Sequence, residues 1–418
     1  MTYRIRTDRE LIRAAGGSDR YVLCELTAPR ARGNKARPPV NVSFVLDRSG
    51  SMAGQKLDLA KAAVLHAIRL LREGDRFSVV FYDSSVDLVV PSASATTEHK
   101  REAARLVRDV QARANTDLFG GWLCGAEQVA RFQDEAGVSR VILLTDGLAN
   151  AGLVDPGEIA RHVGELRSRG VSTTTIGVGA DYDEERLSHM SQVGGGNFYH
   201  VVALPQIDDY LTSELKETLE IVARDAYLAA ELPPSVSAEP LTLLQGERRG
   251  DEWRIALGDL VSEQDVAFVV RLHFSGGELG SAITLRGRFG DADRVLDDSP
   301  IELTWRYADH PSNDAQPRDR EVDRAVARAY ADRARLEASG LNARGELTAA
   351  RDALDRVARR VSEYAGDDEV LRSMVVDTAA LAEEFAHALD PMTRKVHHFE
   401  AMSSSRMRDV TGKARKRQ

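Results

Sequence analysis

Hydroxyl and carboxylate side chains follow an apolar segment near the start of this sequence. Residues 42–46 read Val-Ser-Phe-Val-Leu and run directly into Asp47-Arg48-Ser49-Gly50-Ser51. Because Asp47, Ser49 and Ser51 occupy alternate positions, an extended turn can point their oxygens in the same direction. Hard oxygen donors of this kind suit Mg²⁺, Mn²⁺ or Ca²⁺ rather than zinc. The pattern therefore predicts a divalent-metal site at the end of a strand.

Two further segments can complete this site. Residues 141–144 are a second apolar strand, which ends in Thr145-Asp146-Gly147, and Thr116 lies in a polar loop between two helical stretches. In type and order, five residues resemble the metal-ion-dependent adhesion site of the von Willebrand factor A (VWA) family: Asp47, Ser49, Ser51, Thr116 and Asp146. The resemblance implies that the two serines and the threonine contact the ion, whereas the two aspartates hold it mainly through water.

The loop around Thr116 departs slightly from the family pattern. Family members often have glycines before the threonine, whereas this chain has Ala114-Asn115, so the path of the loop to the ion stays open. Asp117 has two interpretations. We favour an N-cap for a helix predicted from Leu118 to Phe132, and the alternative is a group that orients Thr116 or a water.

Composition and charge narrow the class of protein. The chain has 418 residues, of which 43% are hydrophobic and 29% charged, which is ordinary for a soluble globular protein of two to four domains. The net charge of -9 is spread over helices of mixed sign, so nothing indicates binding to nucleic acid or to an anionic membrane. A short basic stretch, Lys413 to Arg417, is interpreted as a solvated chain end.

Cysteine usage and hydropathy indicate a cytoplasmic protein. Cys24 and Cys124 each lie in an apolar stretch and are predicted to be buried free thiols, since two isolated cysteines make no disulfide framework. The first ten residues are charged where a signal peptide would be apolar, and no apolar run approaches membrane-spanning length. We therefore expect cytoplasmic localisation without membrane association.

Alternating strand and helix patterns between Asn41 and about Thr218 predict an α/β domain with a doubly wound, mostly parallel sheet. The predicted strands are Val42–Leu46, Phe77–Tyr82, Val86–Val90, Val141–Leu144, Thr173–Val178 and Asn197–His200, with helices between them. Only the closely spaced second and third strands are expected to pair antiparallel. In such sheets ligands bind beyond the C-terminal strand ends, where Asp47 and Asp146 fall.

The later residues predict a different architecture. Short segments with period-two alternation between Tyr227 and Tyr307 indicate an antiparallel β-sandwich. Leu11–Arg13 and Tyr21–Leu26 look like a hairpin, and two strands alone cannot form a stable domain. We expect this hairpin to join the sandwich, which makes the VWA domain an insertion. The arrangement resembles bacterial relatives of calcium-activated chloride channel and inter-α-trypsin inhibitor heavy-chain proteins.

Beyond a polar segment the chain becomes helical, with apolar stripes that predict three packed helices. The adjacent His397 and His398 are interpreted as surface or packing residues rather than metal ligands. The predicted organisation is a hairpin at 1–35, the VWA domain at 36–221, the sandwich at 222–308, a linker at 309–317, a helical domain at 318–400 and a basic, flexible tail at 401–418.

A binding function follows from the donor set. A site built mainly from neutral hydroxyls leaves Mg²⁺ electrophilic, with one coordination position open to an aspartate or glutamate of another protein. The resemblance implies this metal-bridged recognition, and bacterial cytoplasmic members serve as scaffolds beside MoxR-type ATPases or with protein kinases and phosphatases. We therefore expect a metal-dependent interaction module that is not an enzyme.

Two alternatives remain open. The first is Mg²⁺-dependent phosphoryl transfer with Asp47 as the nucleophile, as in haloacid-dehalogenase-type phosphatases, but those need Asp-x-Asp and here the second position is Ser49. No Ser-His-Asp or Cys-His motif emerges from the sequence. The second alternative is a purely structural subunit whose VWA domain does not need metal.

Overall fold

The computed structural model describes residues 1–31, 38–113, 116–134, 137–250, 252–296 and 300–416. The chain divides into two compact units. The first unit comprises Met1–Gly33, Ile221–Leu389 and Glu400–Gln418, and the second comprises Asn34–Glu220 and Asp390–Phe399. In chain order the second unit therefore interrupts the first. The boundary expected between residues 35 and 36 lies outside the described residues.

Strands and helices alternate in the second unit, whereas the first is built from strands followed by helices. The strands are β1 (Thr2–Thr7), β2 (Leu11–Arg13), β3 (Ser18–Thr27), β4 (Val40–Asp47), β5 (Arg76–Tyr82), β6 (Val86–Ser94), β7 (Val138–Thr145), β8 (Val171–Val178), β9 (Gly195–Val201), β10 (Ile221–Glu231), β11 (Val236–Pro240), β12 (Gly246–Arg249), β13 (Glu252–Val261), β14 (Asp265–Phe274), β15 (Ala282–Gly290) and β16 (Ile301–Ala308). The helices are α1 (Gln55–Leu70), α2 (Thr97–Asp109), α3 (Leu118–Ala130), α4 (Pro156–Ser168), α5 (Glu184–Val193), α6 (Gln206–Leu219), α7 (His310–Ala315), α8 (Arg320–Ala343), α9 (Leu347–Ala365), α10 (Glu369–Phe385) and α11 (Pro391–Ser405).

The sheet of the second unit has the order β6-β5-β4-β7-β8-β9. β5 and β6 pair antiparallel, and the other neighbours pair parallel. Strands β4, β7 and β8 are buried along their whole length, as expected for parallel strands that are covered on both faces. The predicted mostly parallel α/β sheet, including its one antiparallel pair, is confirmed.

The first unit contains two further sheets, with the orders β1-β3-β14-β11 and β12-β13-β10-β15-β16-β2. A single apolar core takes side chains from both sheets, among them Cys24, Phe268, Phe289 and Trp305. The predicted β-rich region is confirmed, with one exception to its antiparallel pairing. Strand β2 runs parallel to its neighbour β16.

The expected N-terminal hairpin is wrong in its pairing. Strand β3 pairs with β1 and β14, whereas β2 lies in the other sheet. Strand β1 was not predicted, although Tyr3 and Ile5 alternate with Arg4 and Arg6, because the start of the chain was interpreted only as a charged segment. As an edge strand with an exposed first half, it needs little apolar side-chain surface.

The helical region extends the expected pattern. Apolar side chains of α8, α9 and α10 share one core, including Ala338, Leu354 and Phe385. The segment expected as a linker contains α7, whose N-terminus is capped by Asp309 accepting a hydrogen bond from the Ser312 amide at 2.8 Å. The segment expected as a flexible tail instead forms backbone hydrogen bonds, one of them from the Asp265 amide to the Arg415 carbonyl at 2.8 Å.

The start of α11 packs within the second unit. The Lys395 ammonium is buried, pairs with Glu184 and donates to the Tyr182 carbonyl at 2.6 Å. His398 is also buried and lies 3.0 Å from the Ser188 hydroxyl, which confirms its interpretation as a packing residue. No helix in the described part of the chain combines the length and apolarity needed to cross a membrane.

Candidate metal centre

Two adjacent parallel strands deliver the two predicted aspartates to one edge of the sheet. Strands β4 and β7 pair in register, with Leu46 opposite Leu144. Asp47 ends the first strand and Asp146 immediately follows the second. Because the carboxyl ends of parallel strands lie at the same edge, both carboxylates reach the same region, and both are fully buried.

A chain of hydrogen bonds links four of the predicted donors. One oxygen of Asp47 accepts the Thr145 hydroxyl at 2.5 Å, and the other accepts the Ser49 amide at 2.8 Å. The hydroxyls of Ser49 and Ser51 lie 3.1 Å apart, and Ser51 donates to Asp146 at 2.7 Å. The serine turn and the two strand ends therefore form one connected polar cluster.

Thr116 joins this cluster at Gly147. A Cβ placed on Gly147 would lie 3.6 Å from the Thr116 hydroxyl, 3.8 Å from the Ser51 hydroxyl and 3.9 Å from Asp47 Oδ2. Oxygens from two separate segments, residues 47–51 and the loop of Thr116, thus lie near one point that carries no side chain. The structure brings all five predicted residues together, and their hydroxyl and carboxylate oxygens fit a hard divalent cation.

The donor set is poor in charged or soft ligands. Among the residues that the structure describes, no group of three or more His, Cys, Asp or Glu side chains could hold a metal ion. The candidate centre instead combines two carboxylates with three hydroxyls. Such a set disfavours zinc, which prefers nitrogen and sulfur ligands, and favours Mg²⁺, Mn²⁺ or Ca²⁺.

Burial raises the pKa of Asp47 to about 6, and the nearby charge of Asp146 acts in the same direction. Hydrogen bonds from Thr145 and Ser49 oppose this shift. A cation beside the two carboxylates would relieve their mutual repulsion. In the structure Lys56 supplies one such charge, since its ammonium lies 2.5 Å from Asp146 Oδ2.

Arg48, which lies between Asp47 and Ser49, holds the turn that carries Ser49 and Ser51 in place. Its buried guanidinium donates to Asp83 at 2.8 Å and to Asp87 at 2.6 Å. Its backbone amide donates to the Tyr82 carbonyl at 2.9 Å, and its carbonyl accepts the Arg113 amide at 2.8 Å. These contacts attach the serine turn to the end of β5 and to the loop that leads to Thr116.

Two hydrogen bonds, one to Asn150 and one to Asp83, hold the loop that contains Thr116. The Thr116 amide donates to the Asn150 side chain at 2.9 Å, and the Asp117 amide donates to the Asp83 carbonyl at 2.7 Å. The Asp117 side chain accepts the Gly120 amide at 2.9 Å at the start of α3, which confirms the N-cap interpretation. The Ala114-Asn115 departure from the family pattern lies outside the described residues.

Sequence reasoning missed four residues that shape the centre: Arg48, Lys56, Thr145 and Asn150. Thr145 could have been found from the sequence, because it directly precedes Asp146 and therefore lies at the same edge of the sheet as that aspartate. Lys56 lies in the first turn of α1, where sequence spacing alone does not show which carboxylate it reaches. Arg48 and Asn150 act through contacts to distant segments, which no local pattern reveals.

One segment of the chain, which carries the parallel sheet and the candidate centre, matches a known domain family. Residues 41–213 match the family model of the von Willebrand factor type A domain. The matched range contains the six-stranded sheet and all five candidate metal-site residues.

Relatives by sequence include bacterial and animal proteins. The chain is 26% identical over 310 residues to the uncharacterised protein YfbK of Escherichia coli, covering 71% of this chain and 53% of that protein. It is 30% identical over 159 residues to human inter-alpha-trypsin inhibitor heavy chain H3, covering 37% of this chain and 18% of that protein. The chain therefore spans about half the length of its E. coli relative and a smaller part of the heavy chain.

Solved structures reproduce the architecture over nearly the whole chain. A von Willebrand factor type A protein from Catenulispora acidiphila superposes with a TM-score of 0.72 at 18% identity, covering 99% of this chain and 97% of that chain. The ArnB paralog VWA2 from Sulfolobus acidocaldarius gives a TM-score of 0.60 at 15% identity, covering 97% of both chains. The similarity therefore covers the added sheets and C-terminal helices as well as the VWA domain.

Proposed function

We propose that the protein is a metal-dependent protein-interaction scaffold. Mg²⁺, or alternatively Mn²⁺ or Ca²⁺, would be held by Asp47, Ser49, Ser51, Thr116 and Asp146, and an aspartate or glutamate of a partner protein would complete its coordination. The observation that carries the proposal is the convergence of the Thr116, Ser51 and Asp47 oxygens around the Gly147 position.

Exposure supports an accessible ligand position. Asp47 and Asp146 are fully buried, Ser49 and Thr116 are nearly so, and Ser51 is exposed. The open side of the centre is therefore the side of the serine turn. When bound, the cation would supply positive charge for a partner carboxylate, because three of the five candidate donors are neutral hydroxyls that leave its charge in place.

The proposed role is binding without catalysis. Phosphoryl transfer through an aspartyl nucleophile would need a second carboxylate where this chain has Ser49. The candidate partners are a MoxR-type ATPase or a kinase and phosphatase system. We also propose a cytoplasmic location, which is supported by the free thiols of Cys24 and Cys124 and their fit to a reducing compartment.

Metal binding is tested by titrating Mg²⁺ and Mn²⁺ into metal-free protein in a calorimeter. Thr116→Val removes the hydroxyl while keeping the side-chain shape, and Thr97→Val is the matched control on the exposed first turn of α2. We expect Thr116→Val to weaken binding by at least about tenfold, as for loss of one charge-assisted contact, and the control to match wild type. Equal metal uptake by all three proteins would contradict the assigned site.

Partner recognition is tested by capture from the native cell with Mg²⁺ or with EDTA. The proposal predicts a protein retained by wild type in Mg²⁺ and lost with EDTA or with Thr116→Val. Retention that survives both changes would assign recognition to another surface, such as the helices beyond residue 318. If the protein binds metal but captures no partner in a metal-dependent way, the metal site would be supported and the proposed function would be contradicted.

A further inference from the structure

A cavity of about 450 Å³ lies within the first unit. Small-molecule sites in proteins commonly enclose roughly 300–1,000 Å³, so the volume suits a compact ligand. Five arginines from separate segments line it: Arg9, Arg13, Arg20, Arg318 and Arg360. We call it the arginine cavity. Its lining places like charges close together, which needs compensation.

Three of these arginines have carboxylate partners. The pairs are Arg9 with Asp8 at 3.1 Å, Arg13 with Asp314 at 2.9 Å and Arg318 with Asp323 at 2.9 Å. Each pair neutralises one guanidinium without adding negative charge beyond it. The charge balance of the cavity therefore depends on the two remaining arginines and on the two acids of the lining, Asp19 and Glu363.

Arg20 is almost fully buried and has no carboxylate partner in the described part of the chain. Its donors reach the carbonyls of Leu11 at 2.8 Å and Asp19 at 2.6 Å, which satisfy its hydrogen bonds but leave its charge in place. Burial, followed by the positive charge of Arg9, lowers the pKa of Arg20 to about 10. The side chain still carries its charge at neutral pH and adds a positive field to the cavity wall.

Arg360 also lacks a carboxylate partner among the described residues, and it is exposed. It donates to the Tyr21 hydroxyl at 2.8 Å and lies over the Tyr330 ring at 4.7 Å. Two acids line the same cavity. Asp19 lies 2.8 Å from a ring nitrogen of His273 and keeps its negative charge, and Glu363 is exposed, so that water screens its charge.

We propose that the arginine cavity binds a small phosphate-bearing anion. Guanidinium groups are planar, and their paired N–H donors match the spacing of phosphate oxygens. In the arginine cavity they come from the N-terminal segment, from β3, from the segment that precedes α8 and from α9. A tetrahedral phosphate offers oxygens in several directions, whereas a single carboxylate offers two in one plane. The open volume would hold a diphosphate with room for an attached group.

Pyrophosphate is the probe, titrated into the full chain in metal-free buffer so that the candidate metal centre contributes nothing. The test variant is Arg360→Gln, and the control is Arg359→Gln, its neighbour on α9 that is also exposed and lies outside the cavity lining. We expect Arg360→Gln to weaken binding by at least about tenfold and the control to stay within about twofold of wild type. Unfolding curves establish that both variants are folded.

Three results would overturn the proposal. The first is that wild type does not bind pyrophosphate. The second is that both substitutions weaken binding equally, which would show a general attraction to positively charged surface. The third is that citrate binds more tightly than pyrophosphate, which would identify the ligand as a polycarboxylate instead of a phosphate. Weaker binding of pyrophosphate at higher ionic strength, with the Arg360→Gln difference retained, would support it.

Discussion

The ammonium nitrogen of Lys56 lies 2.5 Å from Oδ2 of Asp146, so a cation of the protein itself occupies one side of the candidate metal centre. Asp146 is fully buried, and its other oxygen accepts the Ser51 hydroxyl. Lys56 therefore has two opposing effects on the centre. It neutralises a buried carboxylate, and it repels a divalent ion that binds beside that carboxylate.

The first prediction concerns this lysine. Lys56→Gln should bind Mg²⁺ more tightly, by several-fold to about tenfold, because a nearby like charge is removed. The metal-free variant should also be less stable than wild type, so the rise in melting temperature on adding Mg²⁺ should be larger. Calorimetry and thermal unfolding measure both effects. Arg69→Gln, exposed on the same helix, controls for net charge, and unchanged affinity in Lys56→Gln would contradict the repulsion.

The second prediction concerns Arg48, which holds the serine turn in place. Arg48→Met leaves the buried Asp83 carboxylate without its closest cation, which should lower the free energy of unfolding by about 3 kcal/mol. Mg²⁺ affinity should fall as well, since the turn carrying Ser49 and Ser51 loses its attachment. Urea unfolding and metal titration measure the two losses. Arg105→Met removes an exposed, solvent-screened pair with Glu102 and should leave stability close to that of wild type.

The third prediction concerns a buried ion pair in the second unit. Glu214 pairs with Arg140 and accepts hydrogen bonds from Thr174 at 2.6 Å, Asn197 at 2.7 Å and Tyr199 at 2.8 Å. Glu214→Gln removes a buried negative charge that pairs with Arg140, so we expect a loss of about 3–5 kcal/mol in unfolding free energy.

Chemical denaturation measures this loss. Glu165→Gln, on the exposed surface of α4, is the control and should change little. A Glu214→Gln protein as stable as the control would show that the hydrogen bonds alone hold this region together.

The fourth prediction concerns pH. Burial lowers the pKa of His398 to about 4 from its usual 6.5, an effect that Glu184 opposes and Lys395 reinforces. The folded state therefore holds this ring neutral, and the unfolded state binds the proton more readily. Its contribution to stability is full above pH 6.5 and is lost as pH falls toward 4, with an upper size of about 3 kcal/mol.

His398→Gln should lose less stability than wild type between neutral pH and pH 4.5. Part of the acid sensitivity should remain in the variant, because burial also lowers the pKa of His200 to about 4. Urea unfolding across this range measures the two slopes. Parallel slopes for the variant and wild type would show that His398 is not held neutral in the folded protein.

The sequence alone was enough to predict the mostly parallel sheet and to indicate which candidate donor residues lie together at its edge. Strands β4 and β7 are buried along their whole length, so each is rich in apolar residues, and an aspartate stands at the end of β4 and directly after β7. The serines follow Asp47 directly in the chain. Local sequence thus carries both the position of the donors and the element that presents them.

Pairing over long distances could not be predicted in the same way. Strand β2 has only three residues, and its partner β16 begins at Ile301, so neither length nor alternation indicates the match. The packing of Lys395 and His398 within the second unit depends on Glu184 and Ser188, which lie more than 200 residues earlier. Such contacts follow from tertiary structure, which places remote segments side by side.

The interruption of the first unit has a consequence for the order of events during synthesis. Thr27, at the end of β3, pairs with Asp265, and 238 residues separate them. At about 5–20 residues per second, β3 leaves the ribosome roughly 10 to 50 seconds before β14. The second unit is completed within this interval, apart from its short segment from α11. In nascent chains, β3 therefore lacks its partner β14, while all the strands of the VWA sheet have already been synthesised.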